Sequence, residues 1–130
     1  FTMTDKKINY ELNTVIYPHK IWLVVDNKPD IISDMFNDYN GNPIENINKD
    51  TENLEGFAMM VSKKDIPYYG DVIYFRSKKS INFELVAHES SHAAKHLFEH
   101  IGADVSAHEP FEFLIGWIAH CCEEVKKNKV

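Results

Sequence analysis

The stretch "ELVAHESSHAAKHLFEHIG" holds four histidines, His88, His92, His96 and His100, at every fourth position. On a helix, residues four apart lie on one face, one turn apart. His88-Glu89-Ser90-Ser91-His92 is the tightest part of the pattern. Two imidazoles so placed can converge on one tetrahedral zinc at about 2.0–2.1 Å each. Glu89 projects about 100° further round the helix. It is poorly placed to ligate but well placed to take a proton from a metal-held water. The competing reading is a solvated histidine face, favoured by the seven histidines in 130 residues. The small residues Ala87, Ser90, Ser91, Ala93 and Ala94 argue for the metal, because they let another element pack close to the site.

A catalytic zinc takes three protein ligands and keeps one position open. His96 is a poor third, since His88, His92 and His96 spread over about 12 Å of helix axis. His96 is therefore expected to wall the cleft or steady the ligands, and His100 to sit at a solvated helix end. The following segment, "SAHEPFEFLIGWIAHCCEEV", offers His108, Glu109 and Glu112, with Asp104 before it. Glu109 lies on a strip with Gly116 and His120, suited to a narrow gap. Its alternative role is a capping box with Ser106, although Pro110 prefers the first helical position. Glu112 flanks the apolar face of the same helix. His120 is a further candidate for a residue close around the metal.

His88-Glu89-x-x-His92, a glycine-containing turn and a glutamate-bearing helix together resemble the gluzincin branch of zinc metallopeptidases. More narrowly, "VAHESSHAAKHLFEHIG" followed by "EPFEFLIGWIAHCCEEV" is similar to small zincin-like proteins encoded by bacteriophages. The resemblance is clear over residues 83–118 and weaker over 15–77, where "YPHKIWLVV" and "GDVIYFRSKKS" echo the group. It implies a zinc cofactor on His88, His92 and Glu109, with Glu112 as the alternative third ligand at thermolysin-like spacing from His92. It implies Glu89 as the base in peptide-bond hydrolysis, a peptide or protein substrate, and a cytoplasmic setting, that of the host for a phage protein. In zincins the strand before the active-site helix is an edge strand to which a peptide adds. That role would fall on Val72, Ile73, Tyr74, Phe75 and Arg76. Arg76, Lys78 and Lys79 suit edge protection equally. The alternative function is a zincin-fold binding protein with weak or no turnover, acting as a phage accessory factor on a host protein. It is motivated by the chain's small size and the lack of an evident oxyanion-stabilising motif. A third reading is a metal-free structural domain.

The elements that must hold these residues follow from pattern. Residues 14–26, "TVIYPHKIWLVVD", are β-branched and aromatic and predict a strand. Pro29 begins a short helix with Ile31, Ile32, Met35 and Phe36 on one face. Residues 40–55 predict a long polar loop, with Asn40-Gly41 and Asn42-Pro43 as turn signals. "GFAMMVS" and "GDVIYFRS" predict a hairpin. Ser80 is a candidate cap for the histidine helix, and Gly102 its stop. A second helix from Glu109-Pro110 repeats Phe111, Leu114, Ile115, Ile118, Cys122 and Val125 at helical spacing. The expected class is α+β, zincin-like. A mixed or antiparallel sheet of about three or four strands packs against the His-Glu-x-x-His helix and a C-terminal helix, in one domain over 1–130 after an N-terminal segment 1–13. Tyr68, Tyr69, Tyr74, Trp22 and Trp117 are expected mainly as packing residues.

Composition narrows the partners. The net charge of −6 leaves no basic stripe, which argues against nucleic acid. Lys126, Lys127 and Lys129 suit the end of a helix dipole. No apolar run approaches the roughly 20 residues of a membrane span. Nothing near Phe1 reads as a signal peptide, so Met3 is expected at the native start. The two cysteines, Cys121 and Cys122, are adjacent and rarely bridge each other. They are expected as buried small hydrophobes in a reducing compartment.

Overall fold

The computed structural model describes residues 2–3, 10–12, 14, 17–66, 68–106 and 108–127. Most of the 1–13 segment, and Val15 and Ile16 of the first predicted strand, lie outside these. Short strands β1 (Thr2–Met3) and β2 (Tyr10–Leu12) precede β3 (Lys20–Val25), the apolar centre of the predicted run. Pro29 opens helix α1 (Asp30–Met35). Phe36, expected on that helix, instead turns extended (φ −130, ψ 154) and begins strand β4 (Phe36–Asp38). The expected polar loop holds one helical turn, α2 (Ile47–Asp50), entered through a left-handed Asn46.

The predicted hairpin forms from β5 (Gly56–Lys63) and β6 (Tyr69–Phe75), paired antiparallel. A 3-10 turn over Lys78–Ser80 leads to α3 (Phe83–Ile101), and α4 (His108–Lys126) follows. Asn82, not Ser80, caps α3, its side chain accepting the Leu85 N–H at 2.8 Å. Ser80 instead donates its hydroxyl to Glu55 at 2.8 Å. Gly102 ends α3 in the left-handed region (φ 74), where the missing Cβ removes the steric penalty.

The chain is therefore α+β, but the sheet is larger than three or four strands. It is a mixed sheet in the order β1-β2-β3-β6-β5-β4, six strands with the two-residue β1 at its margin, or five without it. Among the described residues, only β3 and β6 pair in parallel. Both faces are covered. Ile21, Leu23, Val25, Ile73 and Phe75 pack beneath α3 and α4, through Ala93, Ala94, Leu97 and Ile118. Trp22, Val24, Val72 and Tyr74 face Ile32, Phe36 and Ile47 on the other side. Strands buried on both faces lose strict polar alternation, as "DVIYF" does. Asp71 is the exception, a carboxylate with no exposure on the central strand.

Two glycines separate close approach from open space. A Cβ at Gly70 would run into the Lys20 carbonyl and the Trp22 ring, whereas one at Gly116 meets nothing within 4 Å. Gly70→Ala should destabilise by about 3 kcal/mol. Gly116→Ala should stabilise by roughly 0.5–1 kcal/mol through helix propensity. Urea denaturation of the two variants checks both signs.

Candidate metal centre

α3 turns two faces to different surroundings. Val86, Ser90, Ala93, Ala94, Leu97 and Phe98 are buried against the sheet and α4, while Glu84, His88 and His92 are exposed. The His88 and His92 Nε2 atoms lie 3.1 Å apart, with ring centroids 4.6 Å apart at 77°. Lone pairs of two neutral imidazoles repel at that distance unless a proton or a cation lies between them. Glu89 sits at the edge of the buried face with 4% exposure. Its carboxylate and the two imidazoles have ligand atoms all within 4.8 Å of one another. Burial pushes the Glu89 carboxyl above its ordinary range, against the opposing pull of His88 and His92. A carboxylate of raised proton affinity therefore stands beside two convergent imidazoles that could hold a metal ion.

The three residues line a cavity of about 810 Å³. One wall is α3, from Glu84 and Leu85 to His96, and the other is the start of β5, at Gly56, Phe57 and Ala58, with Glu55 before it. Arg76 shapes that second wall. Its guanidinium donates to the carbonyls of Leu54 (2.8 Å) and Thr51 (3.0 Å), tying down the segment that enters β5.

Several expected roles change with this geometry. The run Val72, Ile73, Tyr74 and Phe75 is not an edge. β6 pairs with β3 on one side and β5 on the other, and the Arg76 N–H bonds the Glu55 carbonyl. No peptide can add there. The accessible edge belongs to β5. The three-residue β4 covers only Val61, Ser62 and Lys63, so among the described residues nothing pairs with the outer edge of 57–60.

Glu109 and Glu112 are exposed and outside the metal group. α4 runs back along α3. Phe111 packs on Phe98, with centroids 5.3 Å apart, and Ala119, His120 and Glu123 flank Phe83 and Ala87. Both glutamates lie within two residues of Phe111, whose partner Phe98 is roughly 9 Å along the α3 axis from His92. The alternative capping box of Ser106 with Glu109 is not formed either. The Ser106 hydroxyl bonds Asp104 at 2.8 Å. His120 lies in the groove between α3 and α4 and pairs with Glu124 at 3.8 Å, away from the cavity.

His96 does line the cavity, and its Nδ1 lies 2.6 Å from the Asp71 carboxylate. His19, buried just before β3, approaches the other oxygen of Asp71 at 3.4 Å. His100 is not at a solvated end. It meets the Tyr39 hydroxyl at 2.7 Å and the His19 ring at 5.0 Å, and burial lowers its proton affinity. Tyr68, Tyr69 and Tyr74 contact Lys20, His100 and Phe57 respectively, and none of the three lines the cavity. Cys121 and Cys122 are buried thiols pushed up to about 11 and about 12, so they are protonated and poor ligands.

Asp71 and His19 were the residues that motif reasoning passed over. The signal for Asp71 was present: one carboxylate inside an apolar strand needs a partner. Nothing in the sequence marked His19 as that partner.

No family model, no curated protein and no solved structure matches the chain. Among the described residues, no helix is long and apolar enough to cross a membrane.

The hydrogen bond to Asp71 raises the proton affinity of His96, outweighing the opposing effect of burial. The stability it adds is therefore fully present below the ordinary histidine value of about 6.5 and lost as pH rises through the raised folded value. In metal-free protein, wild type should exceed His96→Gln by about 1.5 kcal/mol near pH 5.5. The difference should shrink towards zero at about pH 9. Denaturant melts at the two pH values check the sign.

Proposed function

We propose that the chain is a zinc-dependent peptide hydrolase of the gluzincin type, akin to the phage-encoded zincin-like proteins it resembles. The observation that carries this is the convergence of the His88 and His92 Nε2 atoms at 3.1 Å beside the buried carboxylate of Glu89. The donor set suits zinc, which takes imidazole nitrogen and carboxylate oxygen. Zinc held by His88 and His92 would supply an acidified water and polarise a carbonyl. Glu89 would take the water's proton and return it to the leaving amine. Its raised proton affinity fits both halves of that cycle. The free edge at 57–60 would align an extended peptide across the cavity by main-chain hydrogen bonds. This moves the substrate strand from β6 to β5.

A second reading is supported by the position of Glu109 and Glu112. With neither glutamate near the histidines, Glu89 is the only described carboxylate in the group. If Glu89 ligates the metal, it is no longer a free base. The protein then holds zinc for shape and acts by binding another protein.

One substitution separates the two readings. As a base, Glu89→Gln should keep zinc affinity within a few-fold and lower peptide turnover roughly 10²–10⁴-fold. As a ligand, the same change should shed the metal under mild chelation. His88→Ala or His92→Ala should shed it on either reading. Native mass spectrometry of untagged protein is expected to give one zinc per chain. Its absence from zinc-replete protein would overturn both readings.

A further inference from the structure

β5 and α3 run side by side in the same direction. A Cβ on Gly56 would lie 2.8 Å from the Leu85 side chain. At the other end Ser62 pairs with Tyr69, whose ring lies 5.3 Å from that of His100. Residues 56–62 at about 3.3 Å each and residues 85–100 at about 1.5 Å each both span roughly 20 Å. Two strand residues therefore advance about as far as one helical turn. Ala58 packs on the α3 side of the sheet, with Phe57 and Met59 on the other side. On this spacing it comes level with the turn that carries Glu89. A peptide added along 57–60 turns every second side chain towards α3. One of these lies beside Glu89 and the two histidines. The next, two residues nearer Gly56, lies level with Glu84 and Leu85.

That end of the cavity has a definite chemistry. Leu54 and Leu85 give it apolar lining, Glu55 and Glu84 give it carboxylates, and among the described residues no lysine or arginine lines the cavity. Glu55 is already engaged, by Ser80 at 2.8 Å and by Arg76 at 3.5 Å. Glu84 is exposed and takes no hydrogen bond or ion pair among the described residues. It stands one turn before His88 on the same stripe of α3. The helix dipole favours a carboxylate there and leaves its oxygens free for a ligand. A long side chain with an apolar stem and a cationic head fits both parts, the stem on the leucines and the head at Glu84. A metal held by His88 and His92 repels such a head from the nearer position, so it belongs at the farther one.

We propose that the substrate is a peptide carrying lysine or arginine two residues from the residue that faces Glu89, with Glu84 as the carboxylate that selects it. The assignment rests on the hydrolase reading, and the experiment separates the two.

A mixture of decapeptides is digested with zinc-loaded protein, and the cuts are read by mass spectrometry. The peptides share one sequence except at a single position, where Lys, Gln or Glu is scanned along the chain. All are N-acetylated and C-amidated, so that only the side chain carries charge, and an unblocked set is run in parallel. Wild type should cut the Lys peptides roughly 5-fold faster than the Gln peptides at one fixed distance from the cut. Glu84→Gln should bring that ratio close to 1, and Glu84→Lys should favour the Glu peptides instead, both with zinc content at the wild-type level. A merely structural role for Glu84 would not reverse the preference. Equal cutting of all peptides by wild type, or a Lys preference that survives Glu84→Gln, overturns the assignment and leaves the hydrolase reading standing. So does cutting of the unblocked set alone, which would make the α-amine the recognised cation. Failure of zinc-loaded wild type to cut any peptide overturns the hydrolase reading and this specificity with it.

Discussion

The rotation of α3 about its own axis decides what this protein can do. Two constraints set it. Ala93, Ala94, Leu97 and Phe98 must lie in the core, and burying that stripe supplies most of the driving force. Asp71 then demands a hydrogen-bond partner, and His96 at 2.6 Å provides it. The first constraint is broad, since apolar contacts tolerate some rotation. The second is narrow, because a hydrogen bond weakens steeply with angle. Together they turn His88 and His92 to the cavity and leave Glu89 at the boundary of the buried face.

The same logic explains the cavity wall. β4 begins at Phe36, which leaves α1 and fills the core beside Trp22, at 4.8 Å between centroids, and it is three residues long. The chain then turns at Gly41, in the left-handed region with φ 86. A strand so short covers only the far end of β5. Among the described residues nothing pairs with the near end beside α3, and Arg76 holds the segment entering it by bonding the carbonyls of Thr51, Glu52 and Leu54. An open edge is a liability for a β-sheet, since it can pair with another chain. Here it lies along the wall of the cavity that contains the paired histidines.

Local chemistry made much of this legible. The helix limits near Phe83 and Gly102, the β5–β6 hairpin and the mid-helix pairing of His88 with His92 all follow from spacing and turn residues. What spacing cannot carry is sheet order. A strand such as β6 reads alike whether it is central or at an edge, and only the parallel partner β3, from far back in the chain, makes it central. The same limit applies to Glu109 and Glu112. Their helix was legible, but not its alignment on α3, which depends on Phe98 meeting Phe111. Phe36 read as helical because its period fitted, and the core beside Trp22 overrode that preference.

Glu89 shows how one position can meet two demands. Its place one residue after His88 puts it about 100° round the helix from that imidazole. That angle keeps it from sharing the outward stripe with the imidazoles, and on this helix it also brings it to the margin of the core. The margin removes solvent from the carboxylate and raises its proton affinity. A carboxylate in water is too weak a base near neutral pH to take a proton and hold it through a reaction. Partial burial shifts it in that direction without moving the group away from the histidines. The cost is a carboxylate short of water in the empty site, and a metal between His88 and His92 would offset it through opposite charge. The burial that tunes Glu89 and the convergence of the two histidines therefore make sense together, as parts of one site.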